Sequence, residues 1–497
     1  MKKNLSSLAV RVLVLLFLAL LVAVALFQTP QDFSQKVSIA NQTLPLKGAV
    51  YFSAAENAFC NDCNVVIIAL DSLRADHLGA YGYHRNTSLN IDAFAKKSVL
   101  FENAYSQSAW TAPNYASLFT SRYPQSHGLI LPSRRYLDSE VTLAEILKKY
   151  GYETAGFVGG LHMVAEFGHA QGFDIYDDNN NGHFAHMPIN RSITGAIEWL
   201  EEKNREKFFL FIHGFDTHCP YLPEEGDENV FANLSYKPLV NVIEECDNTH
   251  YLNATNEDTS YVIDLYDDRI FNADKKIGRF LDFLEEKGLF EDSVIIFLSD
   301  HGETFKENKL WPNIGHSVLR NSVLQMSLVF YAPNATPGRI THLTELVDVF
   351  PTVLDVLGIP INHQAQGKSR LALIAREEED APKGVVHSAM FQVTNKTAFV
   401  RFAIATKERK YFYWLETWPD NVLPPDLFEP VLLSSGNFSE RLFDFENDEG
   451  DNFDLSSTEK AVLESHRELL KDWWKRTIEK NKLSKDEKWL GPQTYFN

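Results

Sequence analysis

The sequence predicts an α/β protein with a large, mainly parallel sheet sandwiched by helices, a smaller C-terminal antiparallel sheet and a terminal helix. Two observations predict it. From Asn64 onward, short apolar runs alternate with stretches whose apolar residues recur at helical spacing. A strand–helix–strand repeat of this kind builds a parallel sheet with both faces covered. After about residue 380 the texture changes to closely spaced strand-like runs, which read as a separate antiparallel sheet.

The elements follow in order. Lys2 and Lys3 precede an uncharged apolar run from Val12 to Phe27, which spans roughly 24 Å as a helix. It reads either as a membrane anchor or as a signal peptide with Ala23-Val24-Ala25 as the cleavage site. Residues 1–27 are therefore assigned as leader or anchor and 28–63 as a polar stalk. Residues 64–380 form the main α/β domain, and 381–497 a C-terminal α+β subdomain. Val65 to Leu70 is a buried strand. Leu143, Ala144, Ile146 and Leu147 mark a helix face ended by Gly151, and Glu153 to Val158 is the next strand. Ala196, Ile197 and Leu200 mark another helix, followed by the strand Phe208 to Phe215. A long helix from Tyr261 to about Lys287 leads into the strand that starts at Val294. Val385 to Phe391, Phe399 to Thr406 and Lys410 to Trp414 are the strands of the smaller sheet. A final helix starts near Ser456, with Glu459 completing a capping box.

A net charge of −20 over 497 residues argues against a nucleic-acid surface, which needs a basic stripe. An anionic ligand must then be drawn in locally, by a metal or a cationic pocket. Either reading of the leader sends residues 28–497 out of the cytoplasm. The even set Cys60, Cys63, Cys219 and Cys246 suits that compartment and allows up to two disulfides in three pairings. A Cys219–Cys246 pair would pin the polar loop 222–260, and Cys60–Cys63 could instead be a zinc half-site or redox pair. Eight Asn-x-Ser/Thr sequons, from Asn41 to Asn437, are potential glycosylation sites.

The chemistry concentrates where strands end. The first apolar strand releases Asp71, the strand from Val294 releases Asp300-His301, and Thr111 lies between Trp110 and Ala112-Pro113. Acidic residues and a histidine at the rim of a parallel sheet are what a metal site needs. Two carboxylates neutralise a divalent cation, an imidazole adds a ligand, and an open position remains for substrate. A hydroxyl beside that metal can become a nucleophile at neutral pH.

DSLRADHLGAYGY, TSRYPQSHGL, TLAEILKKYGYETAGFV, FIHGFDTHCPY, SDHGE, GHS and RLFDFENDEGDNFDL follow one another in an order that resembles the sulfatases, within the alkaline-phosphatase superfamily. The resemblance covers roughly residues 64 to 480 and implies that superfamily's fold. It implies a divalent metal (calcium, zinc, manganese or magnesium) on Asp71, Asp300 and His301, with Thr111 beside or on it. Sulfatases typically carry C/S-x-P-S-R where this chain has Thr111-Ala112-Pro113-Asn114-Tyr115, and they convert the cysteine or serine to formylglycine. Threonine is not expected to undergo that conversion, and Tyr115 replaces the arginine. Threonine here is similar to the phosphate-handling branch, including phosphodiesterases and phosphoethanolamine transferases, where it takes the phosphoryl group. The resemblance also implies that His218 and His316 serve as general acid or substrate contacts. His213 is a further candidate, which could equally be a core histidine. Arg74 is implied as the residue orienting the nucleophile, and Lys306 or Lys309 as an anion contact. Asp216, His218 and His316 offer a possible second metal site. The expectation is an exported or membrane-tethered hydrolase of phosphate, phosphonate or sulfate esters. Its substrate would be an anionic ester, on a glycan or a lipid head group, with no nucleic-acid partner. The alternatives are a genuine sulfuric ester hydrolase, a transferase, and a non-catalytic binding protein on the same scaffold.

Overall fold

The structure is a computed structural model. It describes residues 59–479 apart from 132–133, 137, 179–187, 203–206, 222–225, 239–253, 309–313, 317, 362–363, 378–383, 394–397, 418–437 and 449. The apolar run Val12–Phe27, Cys246, Lys309 and the expected boundary at 380 lie outside the described residues. Among the described residues, no helix is long and apolar enough to cross a membrane.

An eight-stranded sheet forms the centre. Its strands lie in the order Gly338–Ile340, Val99–Phe101, Leu328–Tyr331, Ser293–Ser299, Asn64–Leu70, Phe208–Gly214, Glu153–Phe157, Ile175–Asp177. Only Leu328–Tyr331 runs against the others. The alternation along each strand explains the continuous apolar runs. Val66, Ile68 and Leu70 face one core with Ile212, Phe297 and residues of the helices Leu89–Lys96, Ile189–Glu202 and Asn256–Glu286. Val65, Ile67 and Ala69 face the other, with Phe211, Ile296 and the helices Thr111–Thr120, Leu143–Lys149 and Val349–Val356. A strand buried on both faces has no polar side to show, so it loses the period of two.

Val386–Val393, Ala398–Ala405, Arg409–Thr417 and Phe438–Asp444 form a second, antiparallel sheet in simple meander order. The fourth strand was not foreseen. Phe402, Tyr411 and Leu442 pack on Leu470, Trp473 and Trp474 of the terminal helix. That helix starts at Lys460, because Glu459 is bonded to the Arg409 guanidinium at 2.7 and 2.8 Å instead of closing a capping box at Ser456. The end of the expected stalk belongs to the body: Cys63 is buried in the core and the Cys60 N–H donates to Val356. Cys60 and Cys63 are joined by a disulfide, their Cα atoms 5.5 Å apart. Cys219 is also disulfide-bonded.

Candidate active site

Sheet register assembles the site. Leu70 lies opposite Ser299 and Ala69 opposite His213, so the next residues on two adjacent parallel strands are Asp71 and Asp300. His301 follows directly. Three neighbouring strands thus deliver Asp71, His213 and Asp300-His301 to the carboxyl edge of the sheet, where ligands of open α/β sheets bind. All four side chains are fully buried.

Ser72 holds the two carboxylates in place. Its N–H donates to Asp300 Oδ1 at 3.1 Å and its hydroxyl to Asp71 Oδ1 at 2.9 Å. A φ of 56° places Ser72 in the left-handed region, a strained conformation that tends to persist at functional sites. Thr111 is the first residue of the helix Thr111–Thr120, whose N-cap Trp110 contributes no side-chain bond. Its hydroxyl donates to Asp71 Oδ2 at 3.0 Å, so it is not merely satisfied by the backbone at a helix start. Asn114 fastens this turn to the second carboxylate's backbone, donating to the carbonyls of Ser108 at 2.9 Å and Asp300 at 3.0 Å.

The donor set suits a divalent cation. Asp71, Asp300 and His301 are the one such group among the described residues, with ligand atoms within 4.8 Å of one another. Asp300 Oδ2 and His301 Nε2 are buried without a hydrogen-bond partner, which is uncommon in a folded protein unless something else occupies the space. Burial and the nearby Asp71 charge push the Asp300 carboxyl well above its ordinary range. Asp71, although buried, is held low by the surrounding imidazoles of His213, His218 and His301. Two carboxylates sharing one dry site do not both ionise without a positive charge between them. A divalent cation would supply that charge. Burial also lowers His301 to about 3, leaving the neutral imidazole that ligates metals.

Around this centre, His218 and His316 stand together with ring centroids 5.1 Å apart, and His316 lies 4.6 Å from His301. Burial lowers His218. Burial also works against a charge on His316, but the Glu303 carboxylate at 3.3 Å prevails and raises it. His213 is bonded through Nδ1 to the Gly159 carbonyl at 2.8 Å and points Nε2 at Asp71 Oδ2, 3.6 Å away. It therefore belongs to the site.

Two expected residues have other partners in the structure. Arg74 is hydrogen-bonded away from Thr111. Its guanidinium is spent on Asp76, Glu307 and the Glu303 carbonyl, above the Phe305 ring, and so it braces the loops beside the site. Asp216 is not placed to share a metal with His218 and His316. Its carboxylate accepts from the Ile189 N–H at 2.6 Å and the Lys276 ammonium at 3.3 Å, fixing the start of the helix Ile189–Glu202. Lys306 donates to the Ala254 carbonyl and offers no obvious anion contact.

Sequence reasoning missed Tyr115, Ser72, Glu303 and His162. His162, edge-on to Trp110 at 5.4 Å, has Nδ1 buried without a partner and feels the Asp71 charge once burial has lowered it to about 4. Its signal was weaker than that of Asp71, because His162 lies in the short turn Leu161–Met163 beyond the strand Glu153–Phe157, whereas Asp71 directly follows its own strand.

The sulfatase family model matches residues 63–359, about three fifths of the chain. An ulvan-active sulfatase of Formosa agariphila is 25% identical over 350 residues, 64% of this chain and 66% of that protein. Human iduronate 2-sulfatase is 24% identical over 393 residues, covering 61% and 70% respectively. The chain thus spans about two thirds of the length of these relatives. The crystal structure of a phosphonate monoester hydrolase of Agrobacterium radiobacter superposes with a TM-score of 0.65 at 18% identity, over 84% of this chain and 96% of that one. A shared family model over most of the sheet, including both strands that release the ligand set, leaves one conclusion: the chain belongs to the sulfatase family of the alkaline-phosphatase superfamily.

Proposed function

We propose that this protein is a metal-dependent hydrolase of phosphate, phosphonate or sulfate esters with Thr111 as its nucleophile, and that phosphorus is the preferred centre. One observation carries the reading: the Thr111 hydroxyl hydrogen-bonds Asp71 at 3.0 Å inside the Asp71–Asp300–His301 cluster. Asp71, Asp300 and His301 would hold a divalent cation, with Thr111 beside it. Bound there, the cation would favour the ionised hydroxyl and offset charge gathering on the ester's oxygens.

The chain's own groups do the rest. Asp71 accepts the Thr111 hydrogen bond and so sets the direction of its oxygen. Ser72 keeps the two carboxylates in register. Against burial, the facing Glu303 raises His316, which favours a proton there and suits it to donate to a leaving group. His218, stacked on Phe215 at 4.1 Å, stands next to His316 and provides a neutral contact for the ester. The absence of a cysteine or serine at 111 removes the source of formylglycine and favours phosphorus. The sulfatases among the relatives keep sulfate as the second reading, and their glycan-type names make an anionic glycan ester a suitable substrate class. The apolar leader supports export or tethering of the catalytic body outside the cytoplasm.

The test is turnover of matched nitrophenyl phosphate monoester, phosphodiester, phosphonate and sulfate by metal-analysed protein, with Thr111→Ala alongside. The expected result is phosphorus-ester turnover that falls about a thousandfold or more in the variant and disappears in chelator. Turnover of sulfate alone would overturn the preference for phosphorus. Turnover untouched by Thr111→Ala would remove the nucleophile.

A further inference from the structure

The helix Thr111–Thr120 carries two hydroxyls toward the same carboxylates. Tyr115 follows Thr111 by four residues, so the two side chains share one helical face. The Tyr115 ring is completely buried. It packs edge-on against Phe211 at 5.6 Å and His213 at 4.9 Å, and His213 in turn addresses Asp71. Burial first, then the charges of Asp300 and Asp71, keep the phenol far from ionising. It is a neutral O–H donor.

That donor has no acceptor: the phenol oxygen is buried and makes no hydrogen bond. A buried O–H left unpaired is unfavourable, and a folded protein keeps few of them. Three more orphans lie in the same neighbourhood: Asp300 Oδ2, His301 Nε2 and His213 Nε2. The first two belong to residues of the candidate metal cluster and lie 3.4 Å from each other. The neutral phenol does not, yet it is orphaned alongside them, and this coincidence points to one missing occupant. The related motif carries an arginine at this position, so a hydrogen-bond donor survives here while its charge does not.

We propose that Tyr115 is a positioning residue of the metal centre, its phenol donating a hydrogen bond to an oxygen of the occupied site. The inference rests on the metal reading above. A neutral donor suits this centre for a stated reason. Two ionised carboxylates and a divalent cation already balance, and a guanidinium would add an uncompensated charge to a fully buried place.

The test compares wild type and Tyr115→Phe as full chains stripped with chelator and then titrated separately with Zn²⁺, Mn²⁺ and Ca²⁺. Binding is followed by calorimetry and stability by thermal unfolding. Removing an orphaned hydroxyl should leave the metal-free Tm unchanged or raise it, while affinity for the cation that wild type binds falls about tenfold, the size typical of groups that brace metal sites. A merely structural tyrosine would give the reverse, a lower metal-free Tm with affinity intact, and that result overturns the proposal. Equal affinity in the two proteins, with wild type binding well, also overturns it and leaves the metal reading standing. A wild type that binds none of the three ions brings down both.

Discussion

At the carboxyl ends of the Asn64–Leu70 and Ser293–Ser299 strands, buried polar atoms stand unpaired; around the four-stranded sheet, buried charges meet in pairs. Asp300 Oδ2, His301 Nε2, His213 Nε2 and Tyr115 Oη make no hydrogen bond, although His301 Nε2 lies 3.4 Å from Asp300 Oδ2 and His213 Nε2 3.6 Å from Asp71. Lys410, only 1% exposed, reaches Asp451 at 2.6 Å and Asn321 at 3.0 Å, and at the half-buried rim the Arg467 guanidinium is bidentate on Glu440 at 2.7 Å. Both regions bury charge. Only the second resolves it within the chain. A site that must receive a cation and an ester cannot satisfy itself beforehand without competing with them, so it carries a stability cost that the rest of the fold offsets.

The sharpest way to break this comparison is to neutralise one side of the unresolved pair. Asp300→Asn removes a ligand carboxylate and also the like-charge conflict with Asp71. Cation affinity should fall about a hundredfold or more, and turnover with it. The chelated variant should nevertheless unfold at a higher denaturant concentration than chelated wild type. A less stable metal-free variant would show that Asp300 is a structural residue and that the contrast between the regions is false.

The paired region should respond with the opposite sign. Lys410→Met takes the bonded ammonium from buried Asp451 and leaves it only the more weakly acting Arg320, and breaking a buried pair from one side costs up to about 3–5 kcal/mol. Denaturant midpoints should show that loss, and the double variant Lys410→Met/Asp451→Asn should recover much of it. If the single variant is nearly neutral, the pair is wet and the region is less resolved than its geometry indicates.

What the sequence disclosed follows the same division. The central strands were legible because burial on both faces leaves uninterrupted apolar runs, and the ends of those runs named Asp71, Asp300 and His301 directly. Thr111 came from the resemblance, since nothing in the residues around it fixes its distance from Asp71. The bonding of Arg74 could not be read locally, because one of its partners, Glu307, lies 233 residues away, and no local pattern announces such a contact. The same holds for Asp216, which is held by Lys276 of a distant helix. Tyr115 was read as the loss of an arginine, and its helical phase relative to Thr111 was overlooked. The edge strand Phe438–Asp444 escaped because its exposed, charged residues give no apolar run.

The smallest effect gives the finest test, because it turns the contrast into a matter of sign against pH. Burial acts to raise the Glu440 carboxyl, but the bonds from Arg467 and Tyr411 prevail and hold it below the ordinary 4.5. The stabilisation is therefore complete above pH 4.5 and lost as pH falls through the depressed value. Glu440→Gln should cost about 1 kcal/mol at pH 7, the scale of a partly exposed, well-formed ion pair, and the gap from wild type should close as pH falls through the depressed value. Asp300 is displaced the other way, raised by burial and Asp71. In chelator, wild type loses stability as pH rises through that raised value, so the advantage of Asp300→Asn should widen with pH while the deficit of Glu440→Gln also widens. Two carboxylates in one chain would then diverge in opposite directions from the same wild-type curve. Parallel curves would mean that Asp300, like Glu440, is already satisfied by its neighbours without a cation.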